Sequence, residues 1–188
     1  EMRRDMSAIT RAIVPARADS CLRATDRQQL FRRVIGVADH AVSSKPDDLL
    51  ITYALGSCIG LALWDPVAKV GGLIHCMLPL SRSDRAKAKA NPCMYVDTGV
   101  VMLLRKLIEM GADKRRLIAK IAGASKIMDQ GDMFRIGERN YTVMRKILWK
   151  NDILINSEDC GGSKPRTMAL YVATGVTTIR SGKVETQL

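Results

Sequence analysis

The chain carries five cysteines (Cys21, Cys58, Cys76, Cys93 and Cys160) and two histidines (His40 and His75). A free thiol has a pKa of about 8.5 and is mostly protonated at neutral pH, so it needs a base or a cationic neighbour to act as a nucleophile. With two imidazoles available, few thiol–base pairs need testing. The most informative spacing lies between Cys58 and His75. Two apolar runs flank Asp65-Pro66-Val67-Ala68. Asp followed by Pro suits the first two positions of a type I turn. If Pro66 and Val67 are the central residues of a two-residue hairpin, cross-strand partners have numbers that sum to 133, and Cys58 falls opposite His75. Directly opposed residues share one face of a sheet, with Cα atoms about 4.5–5.5 Å apart. A slip of one register step would put the histidine on the other face, and a slip of two would keep the face but set the pair on a diagonal. Type I turns disfavour two-residue hairpins, and Gly71-Gly72 could house a bulge, so all three registers stay open.

The chemistry of such a pair is acyl transfer. The imidazole takes the thiol proton and stabilises the thiolate as an ion pair, and the sulfur attacks a carbonyl carbon. Gly56 and Ser57 precede Cys58 and let the backbone turn tightly, so the Cys58 N–H can face a developing oxyanion. A third group should orient the imidazole, and Thr52, six residues before Cys58, can offer a hydroxyl or a carbonyl. The competing reading makes Cys58 and His75 ordinary core residues of a hairpin. His40, beside Asp39, has no spacing partner and reads as structural or surface. Cys76 must point away from the face that His75 uses, which makes it a core thiol.

These residues must be positioned by a fold that composition already narrows. At 188 residues, 47% hydrophobic and 26% charged, the chain has the make-up of a globular domain able to bury a core without staples. No stretch approaches the ~18 uninterrupted apolar residues of a membrane helix, and the N-terminus lacks a secretory pattern. A cytoplasmic protein with no membrane insertion is expected. The odd cysteine count and the lack of a CxxC pair argue against a zinc site or a disulfide framework. The net charge of +11 is compatible with an acidic partner, but 4% aromatics without basic–aromatic interleaving disfavour nucleic acid.

Eight arginines fall within the first 33 residues with little apolar periodicity, so residues 1–32 read as a flexible arm and 33–188 as the folded domain. Strands are expected at Val34–Val37, Leu49–Leu55, Cys58–Trp64 and Val70–Leu78, with Pro79 ending the last. Residues 81–94 read as a mobile loop. Apolar spacing predicts a helix over Tyr95–Met110, stopped by Gly111, and a second over Arg139–Trp149. Further strands are expected at Leu117–Ala122, Ile153–Ile155 and Thr167–Ala173, with Gly175 turning into a short final strand. Tight turns between neighbouring strands favour a mixed, largely antiparallel β-sheet sandwich with packed helices, an α+β single domain, over a doubly wound sheet.

Ala54-Leu55-Gly56-Ser57-Cys58, followed by the stretch from Trp64 through His75 to Pro79, resembles the signature of the CheD family of chemoreceptor glutamine deamidases. The resemblance continues through Tyr95-Val96-Asp97, Gly111-Ala112-Asp113, Gly123-Ala124, Ile136-Gly137-Glu138-Arg139-Asn140 and Glu158-Asp159-Cys160-Gly161-Gly162, in order over about residues 33–180. It implies hydrolysis of protein glutamine amides to glutamate with release of ammonia, through a thioester. Carried over by motif position, it implies Cys58, His75 and Thr52 as the catalytic trio, no metal or organic cofactor, helical cytoplasmic segments of chemoreceptors as substrate, and in many members a CheC-type phosphatase as partner. Two departures stand out. His40 lies where members often have an aromatic, and Pro165 lies where a glycine is expected after Gly161 and Gly162. That loop, with Arg166, is a candidate substrate contact. A non-catalytic chemotaxis adaptor binding receptor or phosphatase is the main alternative, and a cysteine protease or transamidase using the same thioester is the third.

Overall fold

The computed structural model describes residues 30–126 and 135–188. Ten strands form two five-stranded sheets. The first contains β1 (Phe31–Ile35), β3 (Asp48–Leu55), β8 (Arg166–Tyr171), β9 (Thr177–Ser181) and β10 (Val184–Gln187), in that order across the sheet. The second runs β2 (Asp39–Ser43), β5 (Val70–Cys76), β4 (Ile59–Asp65), β6 (Ile118–Gly123) and β7 (Ile155–Cys160). Among the described strands, only the β1–β3 and β6–β7 pairs are parallel. The chain is thus the expected mixed, largely antiparallel α+β sandwich. No helix among the described residues is long and apolar enough to cross a membrane.

Strand β4 explains the layering. Its residues are buried on both faces, as a strand must be when both sides are covered. Ile59, Leu61 and Leu63 pack with Val100, Leu103 and Leu107 of α2 (Val96–Glu109) and with Met144 and Leu148 of α3 (Ile136–Lys150). On its other face, Ala62 and Trp64 join Leu73 in meeting Ile35, Leu50, Leu55, Met168 and Leu170 of the first sheet. Three layers result: sheet, sheet, helices. Helix α2 ends as its sequence predicts, with Gly111 at a φ of +94° and the Ala112 N–H closing onto the Leu107 carbonyl.

The β4–β5 hairpin settles the register left open by the sequence. Asp65 pairs with Val70, and Gly60 with His75, so partners sum to 135. The loop has four residues, not two. The Lys69 N–H donates to the Asp65 carbonyl, and Lys69 takes the left-handed φ of +55° that closes such loops. The register is therefore two steps from direct opposition: Cys58 and His75 keep one face but lie on a diagonal.

Asp65 fixes that loop. Its Oδ1 accepts from the N–H groups of Val67 and Ala68, while Oδ2 accepts from the Asp113 N–H and the Arg116 guanidinium. Burial opposes ionisation here, but Arg116 and the three N–H donors outweigh it and hold the carboxyl well below the usual carboxylate range.

Several expectations differ from the structure at particular elements. Of the arm expected over 1–32, residues 1–29 lie outside the described residues, and Phe31 and Arg32 already belong to β1. Strand β2 lies where no strand is expected, because Asp39-His40-Ala41-Val42-Ser43 lacks an apolar run. The 81–94 segment contains α1 (Arg85–Ala90), capped by the Asp84 side chain on the Lys87 N–H. Strand β7 begins at Ile155, where the expected strand ends; it is a polar edge strand and shows no hydrophobic signal. Residues 127–134, between β6 and α3, lie outside the described residues.

Because Asp65 gathers donors from both its own turn and the α2–β6 connection, Asp65→Ala should cost about 2–3 kcal/mol in urea unfolding. The folded-state pKa lies below the unfolded one, so the wild-type advantage over the variant should be complete above the usual carboxylate range and vanish as pH falls through the folded value.

Candidate functional site

The site forms where β3 hands over to β4. Strand β3 carries a bulge between Thr52 and Leu55, with Ala54 at a φ of +56°. The bulge breaks the alternation of faces, so Thr52 and Leu55, three residues apart, are both fully buried. The turn that follows, Gly56 to Cys58, delivers Cys58 to the inter-sheet face, where it is half-buried against the core between the sheets. His75, fully buried, lies on the same face of β5, the face Leu73 uses.

Thr52 Oγ1 lies 2.8 Å from the Ile35 carbonyl oxygen and 2.8 Å from His75 Nδ1. The carbonyl can only accept, so the single hydroxyl proton goes to Ile35. Thr52 must then accept from Nδ1–H. This assigns the tautomer: Nδ1 carries the proton and Nε2 carries the lone pair. Nε2 is buried and has no hydrogen-bond partner among the described residues. Cys58, two residues off the position opposite His75, lies on the same face.

Burial raises the Cys58 thiol above its ordinary value, partly offset by the residue's own backbone N–H. Burial also lowers His75, to about 4. Burial thus favours the neutral thiol and the neutral imidazole over an ion pair.

The turn is held from behind, one carbonyl at a time. The Gly56 carbonyl accepts from the Ser125 N–H at 2.8 Å, the Ser57 carbonyl from Asn140 Nδ2 at 2.9 Å, and the Cys58 carbonyl from the Ala124 N–H at 2.7 Å. Gly123, at a φ of +106°, is needed for this approach: a Cβ there would stand 2.4 Å from the Cys58 carbonyl oxygen.

Arg166, Gly161 and Gly162 lie one segment further back. Arg166 is 9% exposed; its guanidinium donates to Ser125 Oγ, the Lys164 carbonyl and Asp159. Gly161 N–H donates to the Gly123 carbonyl, and the Gly162 carbonyl accepts from Lys126 N–H. These residues brace the 123–126 segment that braces the Gly56–Cys58 turn. The geometry gives Arg166 a supporting role in this loop.

A second thiol–imidazole pair is present. His40 Nδ1 lies 3.2 Å from Cys93 Sγ, a contact that no sequence spacing signals. Cys93 is 4% exposed, and burial pushes its thiol up to about 11. Burial likewise raises Cys76 well above the usual range, and Cys160 to about 12. Among the described residues, no three His, Cys, Asp or Glu side chains are grouped to hold a metal ion.

Sequence reasoning missed Asn140, Ser125 and Gly137. Asn140 had a signal: it occupies the buried stripe of α3 with Gly137, Met144 and Leu148, where a polar side chain demands a partner.

A Thr52–His75 hydrogen bond between two sheets, with Cys58 at the β3–β4 junction on the same face, defines a helix-covered β-sandwich with a thiol, an imidazole and a hydroxyl on its inter-sheet side. Residues 77–181 match the family described as CheD chemotactic sensory transduction. A Syntrophus aciditrophicus protein named "Probable chemoreceptor glutamine deamidase CheD 1" is 45% identical over 148 residues, covering 79% of this chain and 92% of its own. A Solibacter usitatus relative named "Probable chemoreceptor glutamine deamidase CheD" is 48% identical over 142 residues, covering 76% and 84%. One from Pyrococcus horikoshii is 41% identical over 155 residues, covering 80% and 94%. The chain belongs to the CheD family. The family match begins after His75, but any 148-residue stretch of a 188-residue chain starts no later than residue 41, so the first of these similarities runs through Thr52, Cys58 and His75.

Among the described cysteines, iodoacetamide should modify Cys58 first, ahead of Cys76, Cys93 and Cys160, as read by peptide mapping over time at pH 8. Equal rates for Cys58 and Cys160 would contradict the site geometry.

Proposed function

We propose that this chain is a cysteine-dependent amidohydrolase that deamidates glutamine side chains of chemoreceptors. The observation that carries the reading is the unpartnered Nε2 of His75, set by Thr52 to accept a proton and placed on the face that Cys58 occupies. The names of the relatives supply the substrate class.

The steps follow from this geometry. A glutamine side chain presents its amide carbon to Cys58 Sγ. As sulfur attacks, the thiol proton passes to Nε2, and the carbonyl oxygen becomes an oxyanion facing the Cys58 N–H. The imidazolium returns the proton to the departing nitrogen, ammonia leaves, and a thioester remains. Water then gives a proton to Nε2 as it adds to the thioester carbon, and collapse releases a glutamate carboxyl group and restores the thiol. Thr52 keeps Nδ1 protonated and shares the charge of the transient imidazolium through its hydroxyl. A protein substrate suits a half-exposed sulfur at a turn, with the base enclosed behind it.

A receptor cytoplasmic fragment incubated with the protein should gain the mass of an NH-to-O exchange at particular glutamines in peptide mass spectrometry. Cys58→Ala should abolish the gain, and His75→Gln should slow it by about 10³-fold. Retained turnover in Cys58→Ala rules out the nucleophile. Thr52→Val, which keeps shape but loses the hydroxyl, should lower kcat by about 10–100-fold, because Nδ1 loses its acceptor and the tautomer is no longer fixed.

The pH dependence separates this neutral pair from an ion pair. The base form of His75 is lost only as pH falls through about 4. Thus kcat/KM for the free enzyme should stay level across neutral pH and drop on that acid limb. An acid limb near the ordinary imidazole value of about 6.5 would contradict a buried neutral base.

A further inference from the structure

We infer that Asn140 is a positioning residue that aims the Cys58 N–H at the reacting carbonyl, an inference that rests on Cys58 being the nucleophile. Asn140 is fully buried on α3, and its Nδ2 donates to two backbone carbonyls, Ser57 at 2.9 Å and Met77 at 3.0 Å. Both acceptors are main-chain oxygens, which cannot donate, so the assignment of nitrogen and oxygen in this amide is fixed.

The two carbonyls occupy special places. The last paired positions of the β4–β5 hairpin are Ile59 and Cys76. Ser57 and Met77 lie just beyond, on the two strand ends where ladder bonds stop. One amide group spans that open end and holds it at the register that sets Cys58 diagonal to His75. A primary amide fits because its two N–H bonds diverge in one plane, one for each carbonyl.

The orientation of the catalytic peptide follows. In a trans peptide the N–H points opposite to the C=O of the same unit. Asn140 draws the Ser57 carbonyl toward α3, so the Cys58 N–H of that unit points away from α3. It bears on the residue's own sulfur, where it lowers the thiol pKa. The flanking carbonyls of Gly56 and Cys58 are held by Ser125 and Ala124. The middle peptide, the one whose N–H meets the oxyanion, depends on a side chain.

Helix α3 is built to bring that side chain close. Gly137, one turn before Asn140, packs against the 124–125 backbone: a Cβ there would lie 2.7 Å from the Ala124 carbonyl oxygen. Without a side chain at 137, the first turn of α3 rests on the segment that holds Gly56 and Cys58, and Asn140 arrives at Ser57.

The test compares Asn140→Leu and Asn140→Asp with wild type in the receptor-fragment assay, alongside iodoacetamide alkylation of Cys58. Displacement of iodide develops no oxyanion, so alkylation reports the thiol alone. For both variants, kcat should fall by about 100-fold with KM nearly unchanged, while Cys58 alkylation stays within about threefold of wild type. In the wild-type protein, which requires no variant to fold, amide exchange by NMR should show slowly exchanging Asn140 side-chain protons and a readily exchanging Cys58 N–H. Unchanged kcat in folded variants, or kcat and alkylation falling together, overturns the assignment, as does a protected Cys58 N–H. Absence of wild-type turnover on any glutamine instead overturns the deamidase reading, and this inference with it.

Discussion

A hydroxyl has one proton to give, and the site depends on where Thr52 sends it. Its donation to the Ile35 carbonyl leaves the hydroxyl oxygen as an acceptor, which obliges His75 to present Nδ1–H and keep the lone pair on Nε2. Strands β1, β3 and β5, drawn from both sheets, meet in that short chain of atoms. The parallel pairing of Ile35 with Thr52 brings the carbonyl beside the hydroxyl, and burial of all three residues keeps water from competing for it. A preference for one tautomer that would be weak in water becomes firm in a dry core.

The neutrality of the resting pair follows from the same burial. Thiol and imidazole are both pushed toward their uncharged forms. In the proposed reaction, charge appears only as the imidazolium and the oxyanion form together, and groups already in place meet it: Thr52 for one, the Cys58 N–H for the other. Fixed donors in a low-dielectric site stabilise such charge without having to reorient. A standing ion pair would make a more reactive thiol, but one open to any electrophile at a half-exposed turn.

Much of the site could be read from residue types and spacing because strands alternate faces and hairpins count residues. The two apolar runs around Asp65-Pro66 offered a register that pairs Cys58 with His75, and their motif positions brought in Thr52. The register stayed open by one step or two, because the loop length depends on Lys69 adopting a left-handed backbone that its side chain does not announce. The bulge at Ala54 was hidden for the same reason, although it turns both Thr52 and Leu55 inward. Strands β2 and β7 were obscured by their polar sequences at sheet edges. The bracing through Ser125, Arg166 and Asn140 joins residues 41 to 83 positions apart, and such contacts exist only once the layers have packed.

The remaining question is why the chain tolerates an orphaned Nε2. A buried acceptor left without a donor costs about 1–3 kcal/mol, and a leucine of similar volume at position 75 would avoid that cost. A module that only binds a receptor or a phosphatase has no use for the expense. The second pair in the same protein makes the contrast: His40 Nδ1 and Cys93 Sγ lie 3.2 Å apart on the helix-facing side of the sheet, satisfied by one another and closed to solvent at the sulfur. Between the sheets the imidazole is instead held on one side and left open on the other, beside a thiol that solvent can reach. Departures from local satisfaction concentrate where function requires them. In the proposed reaction that departure is a lone pair which receives a proton only when the Cys58 sulfur attacks.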